Sequence, residues 1–125
     1  MARILLAEDD EAVRGFVRRA LELDGHEVVA AADGGEALEI LQTEDGRFDL
    51  LLSDIRMPVM DGIALALAAA RDFAALRILL MTGYAEQRER AHGLEAVIHD
   101  VVQKPFSLAD IRRAVAEALA APSRG

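Results

Sequence analysis

Five short apolar runs divide the chain: RILLA at 3–7, EVVAA at 27–31, FDLLLS at 48–53, RILLMT at 77–82 and VVQ at 101–103. Several are continuous rather than alternating, which is how strands buried on both faces read. The segments between them have helical period. Val13, Phe16, Val17, Ala20 and Leu21 share one helix face, as do Ala37, Leu38 and Leu41, and GIALALAAAR at 62–71 starts from the turn at Gly62. A fourth helix is expected within 85–95, but AEQRERAHGLE carries almost no apolar stripe, so it is predicted to be weakly held. In the last helix Ser107 and Asp110 match a capping box, and Leu108, Ile111, Val115 and Leu119 form an apolar face. Strands alternating with helices predict an α/β fold, an open doubly wound parallel sheet of five strands.

The length of 125 residues suits one domain, and 53% hydrophobic with 29% charged residues supplies both a core and a surface. We take 1–121 as that domain, 122–125 as a flexible C-terminal end, and expect no output domain. A net charge of −8, spread along the chain, disfavours direct nucleic-acid binding. The absence of cysteine removes disulfides, thiolate catalysis and cysteine-ligated zinc. The start MARILLAEDD is too short in apolar residues for a signal peptide or a spanning helix. A cytoplasmic protein without membrane contact is the expectation.

In an open α/β sheet, ligands sit beyond the carboxyl ends of the strands. Here those ends carry Glu8, Asp9 and Asp10 after the first run, Asp54 after the third, Thr82, Gly83 and Tyr84 after the fourth, and Lys104 after the fifth. Gathering Glu8, Asp9 and Asp54 at one edge would crowd like charges, which resist joint ionisation unless a cation compensates them. An all-oxygen donor set favours Mg²⁺. Lys104 adds a point charge suited to a phosphoryl oxygen. Asp54 is then a candidate nucleophile that forms an aspartyl phosphate, with Thr82 placed to hydrogen-bond the new group.

This set of motifs, from RILLAEDDEAVR through DIRMPVMDG and Thr82-Gly83 to QKPFSLADI, resembles the receiver domain of bacterial two-component response regulators, the CheY-like superfamily. The resemblance implies a flavodoxin-like (βα)5 receiver fold with strand order 2-1-3-4-5. It makes Glu8 and Asp9 the acidic pocket, Asp9 and Asp54 direct Mg²⁺ ligands, Arg56 a ligand through its backbone carbonyl, Asp54 the phosphoacceptor, Thr82 the switch hydroxyl and Lys104 the phosphate-contacting lysine. Lys104-Pro105 is expected to be cis, and Met57, Pro58, Asp61 and Gly62 to shape the site. One departure is Val101, where the family often has an aromatic switch residue, and Tyr84 is the substitute candidate or a guard at the pocket mouth together with Arg56. With no acid or amide at those two positions to orient water, a long-lived phosphoryl group and slow autodephosphorylation are expected, and no enzymatic turnover.

Among stand-alone receivers the chain looks most like the CpdR-type regulators of alphaproteobacteria, sharing ILLAEDD, DIRMPVMDGI, a Thr-Gly-aromatic and a valine before KPF. That likeness implies a histidine kinase or histidine phosphotransferase as phosphoryl donor, and control of ClpXP proteolysis downstream. Two other functions compete. A haloacid-dehalogenase-type phosphatase needs an acid two residues after its nucleophile, where this chain has Arg56, and a pseudo-receiver would bind partners without phosphorylation. Taken singly, EDD is a solvated helix entry with Asp10 as cap, Asp61-Gly62 a turn, and Lys104 a surface lysine. His26, His92 and His99 lack metal-ligand spacing and read as solvated. Arg14, Arg18 and Arg19 read as a solvated helix face.

Overall fold

In the computed structural model, which describes residues 1–122, every apolar run becomes a strand. The order is β1 (Arg3–Ala7), α1 (Glu11–Leu23), β2 (Glu27–Ala31), α2 (Gly34–Thr43), β3 (Leu50–Asp54), α3 (Gly62–Asp72), β4 (Arg77–Thr82), α4 (Ala85–Ala91), β5 (Asp100–Gln103) and α5 (Leu108–Ala120). All pairings are parallel, in the order β2-β1-β3-β4-β5. The three inner strands explain the unbroken apolar runs, since alternate residues feed two different cores. Ile4, Leu6, Leu52 and Met81 lie under α1 and α5, with Val17, Leu21 and Val115. Leu5, Leu51, Ile78 and Leu80 lie under α2, α3 and α4, with Leu41 and Leu65. A fully buried Leu or Ile contributes about 1.5–3 kcal/mol, so this sheet is the dominant stabilising layer.

Four helices begin at a side-chain cap. Asp10 accepts from Ala12 and Val13 N–H, Asp33 from Glu36, Asp61 from Ala64 and Ser107 from Asp110, the last as a full capping box. The fifth, α4, begins at Tyr84 without one.

The structure corrects several sequence expectations. β3 covers Leu50–Asp54 instead of 48–53. Asp49 is held outside it, because its carboxylate accepts the Arg3 N–H at 2.8 Å, while the Arg3 guanidinium lies 4.3 Å over the Phe48 ring. Asp54 belongs to the strand, opposite Met81. The fourth helix, Ala85–Ala91, lies within the expected 85–95 and buries only Ala91. His26 is half-buried, its Nδ1 accepting the Ala2 N–H at 3.0 Å. Of the three α1 arginines only Arg19 fits a purely solvated face. Arg14 donates to the Glu8 carbonyl at 2.8 Å, and Arg18 to Glu22 and to the Val28 carbonyl. The expected flexible end at 122–125 lies, apart from Pro122, outside the described residues. Among the described residues no helix is long and apolar enough to cross a membrane.

Candidate functional site

Sheet register assembles the site. Ala7 pairs with Ser53, so Glu8 and Asp54 leave β1 and β3 at the same edge. Asp54 pairs with Met81 and Thr82 with Gln103, which brings Thr82 and Lys104 to that edge as well. The backbone continues the ladder past each strand end, with Glu8 N–H on the Ala31 carbonyl, Ile55 N–H on Met81 and Lys104 N–H on Thr82, at 3.1, 3.0 and 2.8 Å. Pairing of this kind holds the functional side chains on rigid supports.

Carboxylate oxygens of Glu8, Asp9 and Asp54 lie within 4.8 Å of one another. Glu8 is 1% and Asp54 7% exposed, while Asp9 faces solvent. Lys104 Nζ sits 2.6 Å from Glu8 Oε1 and 3.4 Å from Asp54 Oδ1. The backbone orders the carboxylates further: Asp10 N–H donates to the other Glu8 oxygen, Oε2, at 3.1 Å, and Ile55 N–H to the same Asp54 Oδ1 at 3.0 Å. Burial pushes the Glu8 carboxyl up to about 7 in spite of the lysine, and the charge of Asp54 adds to the push. Burial also raises Asp54, and Asp9 adds to that rise. For Lys104, burial works against the charged form, but its contacts with Glu8 and Asp54 outweigh it and the net shift is upward.

Three carboxylates thus face one ammonium, and burial, with the neighbouring carboxylate charge added, raises the pKa values of Glu8 and Asp54. The donor chemistry fits a hard divalent cation, with Asp9 on the solvent side where water ligands can complete the shell. Lys104-Pro105 is cis.

The groups open into a hollow of about 800 Å³ whose polar end is formed by Glu8, Asp9, Asp54, Arg56 and Lys104. Thr82 is fully buried, and its Oγ1 accepts the Tyr84 N–H at 3.1 Å. Tyr84 is 45% exposed and lines the hollow, with the Arg56 guanidinium 4.7 Å over its ring. Val101 is half-buried against the α2–α3–α4 core. The structure therefore brings Glu8, Asp9, Asp54, Arg56, Tyr84 and Lys104 to one hollow, and leaves Thr82 turned in beside it and Val101 in the core.

Sequence reasoning missed two features. The Glu8–Lys104 ion pair joins residues far apart in the chain, and only the sheet order could have disclosed it. Asp33 as the cap of α2 was readable: DGGE has an acid three residues after an aspartate, and Glu36 returns a bond to the Ala32 N–H at 2.8 Å.

Gly62 is required at its position, because a β-carbon there would run into the Asp54 carbonyl. Its N–H donates to the Ile55 carbonyl at 2.7 Å, so the loop after Asp54 folds back tightly on the strand end.

Residues 4–116 match the family model described as the response regulator receiver domain. Among curated proteins, the response regulator receiver protein CpdR of Brucella abortus is 43% identical, over 89% of this chain and 91% of its own length. Response regulator MprA of Mycobacterium ulcerans is 38% identical over 87% of this chain, which matches only 46% of that longer protein. Among solved structures, the response regulator TrrA of Thermotoga maritima, in complex with Mg²⁺ and BeF, superposes with a TM-score of 0.83 at 27% identity, covering 94% of this chain and 99% of the other.

Proposed function

The chain belongs to the response regulator receiver domain family, and on that premise we propose that it is a phosphoacceptor: Asp54 takes a phosphoryl group from a phosphohistidine and the change of state is read by a protein partner. The observation that carries this reading is the convergence of Asp54, Glu8, Asp9 and Lys104 at one sheet edge. Ile55 N–H and Lys104 engage Asp54 Oδ1, so attack is assigned to Oδ2. Oδ2 forms a bond to phosphorus as the phosphorus–nitrogen bond of the donor breaks, and the departing imidazole takes up a proton. Glu8, Asp9 and Asp54, with the Arg56 backbone carbonyl, would hold Mg²⁺. When bound, the ion supplies charge neutralisation for the equatorial phosphoryl oxygens.

Lys104 contributes by changing partner. In the unmodified protein it is bound most closely to Glu8, and on phosphorylation it transfers to a phosphoryl oxygen. The Thr82 hydroxyl turns toward the same group, giving up the Tyr84 N–H, which links the site to the start of α4. The Arg56–Tyr84 stack covers the mouth without an acid or amide to orient water, which supports slow autodephosphorylation.

The donor is a histidine kinase or histidine phosphotransferase. Downstream, the likeness to CpdR supports a protein target in ClpXP-dependent proteolysis. Intact-mass spectrometry after incubation with acetyl phosphate and Mg²⁺ tests the reading. One phosphoryl adduct, lost in Asp54→Asn and in chelator, is expected. A folded protein that never gains the adduct from acetyl phosphate or from a phosphohistidine donor would defeat it and favour a pseudo-receiver.

A further inference from the structure

The two carboxylate oxygens of Asp61 serve different elements. Oδ1 accepts the Ala64 N–H at 2.9 Å and caps α3. Oδ2 receives Arg90 Nη2, from the last turn of α4, at 3.1 Å. A cap residue that also binds the neighbouring helix fixes that helix to the loop ending at its own position.

That helix needs fixing. α4 is 7 residues long, has no side-chain cap and buries only Ala91. Its charged groups do part of the positioning: Arg88 donates to Gln103 Oε1 of β5 at 3.0 Å, and Arg90 to Gln87 as well as to Asp61. Helices this short draw their stability from tertiary contacts, because nucleation is costly and propagation brief.

The loop between Asp54 and Asp61 is stiff. Gly62 N–H returns to the Ile55 carbonyl at 2.7 Å and Met60 N–H to Pro58 at 2.8 Å. Val59, 85% exposed, sits at φ +70°, a left-handed conformation unfavourable for a β-branched residue, at the centre of the turn that the Met60–Pro58 bond closes. Because the loop closes against the Asp54 carbonyl with room only for a glycine, a displacement at Asp54 is passed to Asp61.

We infer that the Asp61–Arg90 ion pair is a latch, holding α4 to the β3–α3 loop in the unmodified protein and loosening when phosphorylation of Asp54 shifts that loop. This rests on the phosphoacceptor reading above. The pair is formed at neutral pH: burial acts to raise Asp61, but the Ala64 N–H and Arg90 outweigh it and its carboxyl is lowered. With Arg90 48% and Asp61 30% exposed, the pair biases a population by a few-fold and does not lock it, the strength suited to a switch that must reverse.

Hydrogen exchange of the α4 amides tests the latch in Arg90→Gln, Asp61→Asn and the double variant. Asparagine keeps an oxygen for the Ala64 N–H, so the α3 cap survives while the charge is lost. Each single change is expected to speed α4 exchange by roughly two- to five-fold, with α1 and α5 unaffected and the double variant no faster than either single one. Unchanged α4 exchange in either single variant, or a double effect equal to the product of the two, would overturn the latch. In the wild-type protein treated with acetyl phosphate and Mg²⁺, exchange should rise toward the variants' rate, and the phosphorylated variants should gain little more. A normal phosphoryl adduct with unchanged wild-type α4 exchange would also overturn it, while leaving the phosphoacceptor reading in place. No adduct at all would defeat that reading, and the coupling with it.

Discussion

The edge of the sheet and α4 lie side by side but are held in opposite ways. Glu8, Asp54 and Thr82 are buried at the carboxyl ends of three adjacent inner strands, each fixed by backbone pairing that continues past the strand end. α4 has a single buried residue, no side-chain cap, and tethers made of half-exposed arginines. Chemistry that needs charges placed to within fractions of an ångström sits on the part that cannot relax. The element we infer to move is built from contacts weak enough to exchange. Local stability differs because buried apolar area differs, and under the proposed function that difference suits the first region to phosphoryl transfer and the second to response.

The contrast can be broken most forcefully in the sheet. Leu52→Ala empties a fully buried position in the core under α1 and α5 and is expected to cost about 2–5 kcal/mol, read from chemical denaturation. A loss under 1 kcal/mol would mean the sheet is not the rigid partner. Next comes the pocket's charge deficit. At ten times its pH 8 dissociation constant Mg²⁺ should stabilise the protein by about 1.4 kcal/mol, and the same concentration should stabilise it less at pH 5.5.

The sign follows from Glu8, whose pKa is raised from 4.5 to about 7 by burial. The folded state binds more protons than the unfolded state between those values, so the metal-free protein loses stability as pH rises through that window. Mg²⁺ binds the deprotonated site, so its stabilising effect shrinks as pH falls below about 7. Thermal melts with and without Mg²⁺ at the two pH values check this, and an equal shift at both would contradict it.

Capping sharpens the contrast at smaller scale. Ser107→Ala removes the capping box of α5 and should cost about 1 kcal/mol. Tyr84→Ala at the start of α4 removes no cap and should stay within about 0.5 kcal/mol, while freeing Arg56 and shortening the phosphoryl lifetime, measured by the decay of the adduct. A phosphoryl lifetime unchanged by that substitution would remove the Arg56–Tyr84 stack from the account.

The division between the two regions also marks what could be read in the chain beforehand. The sheet was legible because burial on both faces turns alternation into unbroken apolar runs, as in RILLMT. The carboxylates and Lys104 were legible because they follow those runs. Less was readable where long-range polar contacts decide. Asp49 leaves β3 to meet Arg3, His26 accepts the Ala2 N–H, and Lys104 turns first to Glu8. The low apolar content of AEQRERA announced a weakly held α4 but not its tether, since Arg90 and Asp61 are far apart in sequence. Helical period encodes burial. Its absence says nothing about which ion pair replaces it.

The most direct test of the division is hydrogen exchange measured amide by amide in the unmodified protein across a denaturant series. The account predicts that amides of β1, β3 and β4 exchange only through global unfolding, with rates that rise steeply with denaturant, while those of α4 exchange orders of magnitude faster through a denaturant-insensitive local opening. Amides of α4 protected to the level of the central strands, and following the same denaturant dependence, would show one cooperative unit and contradict it.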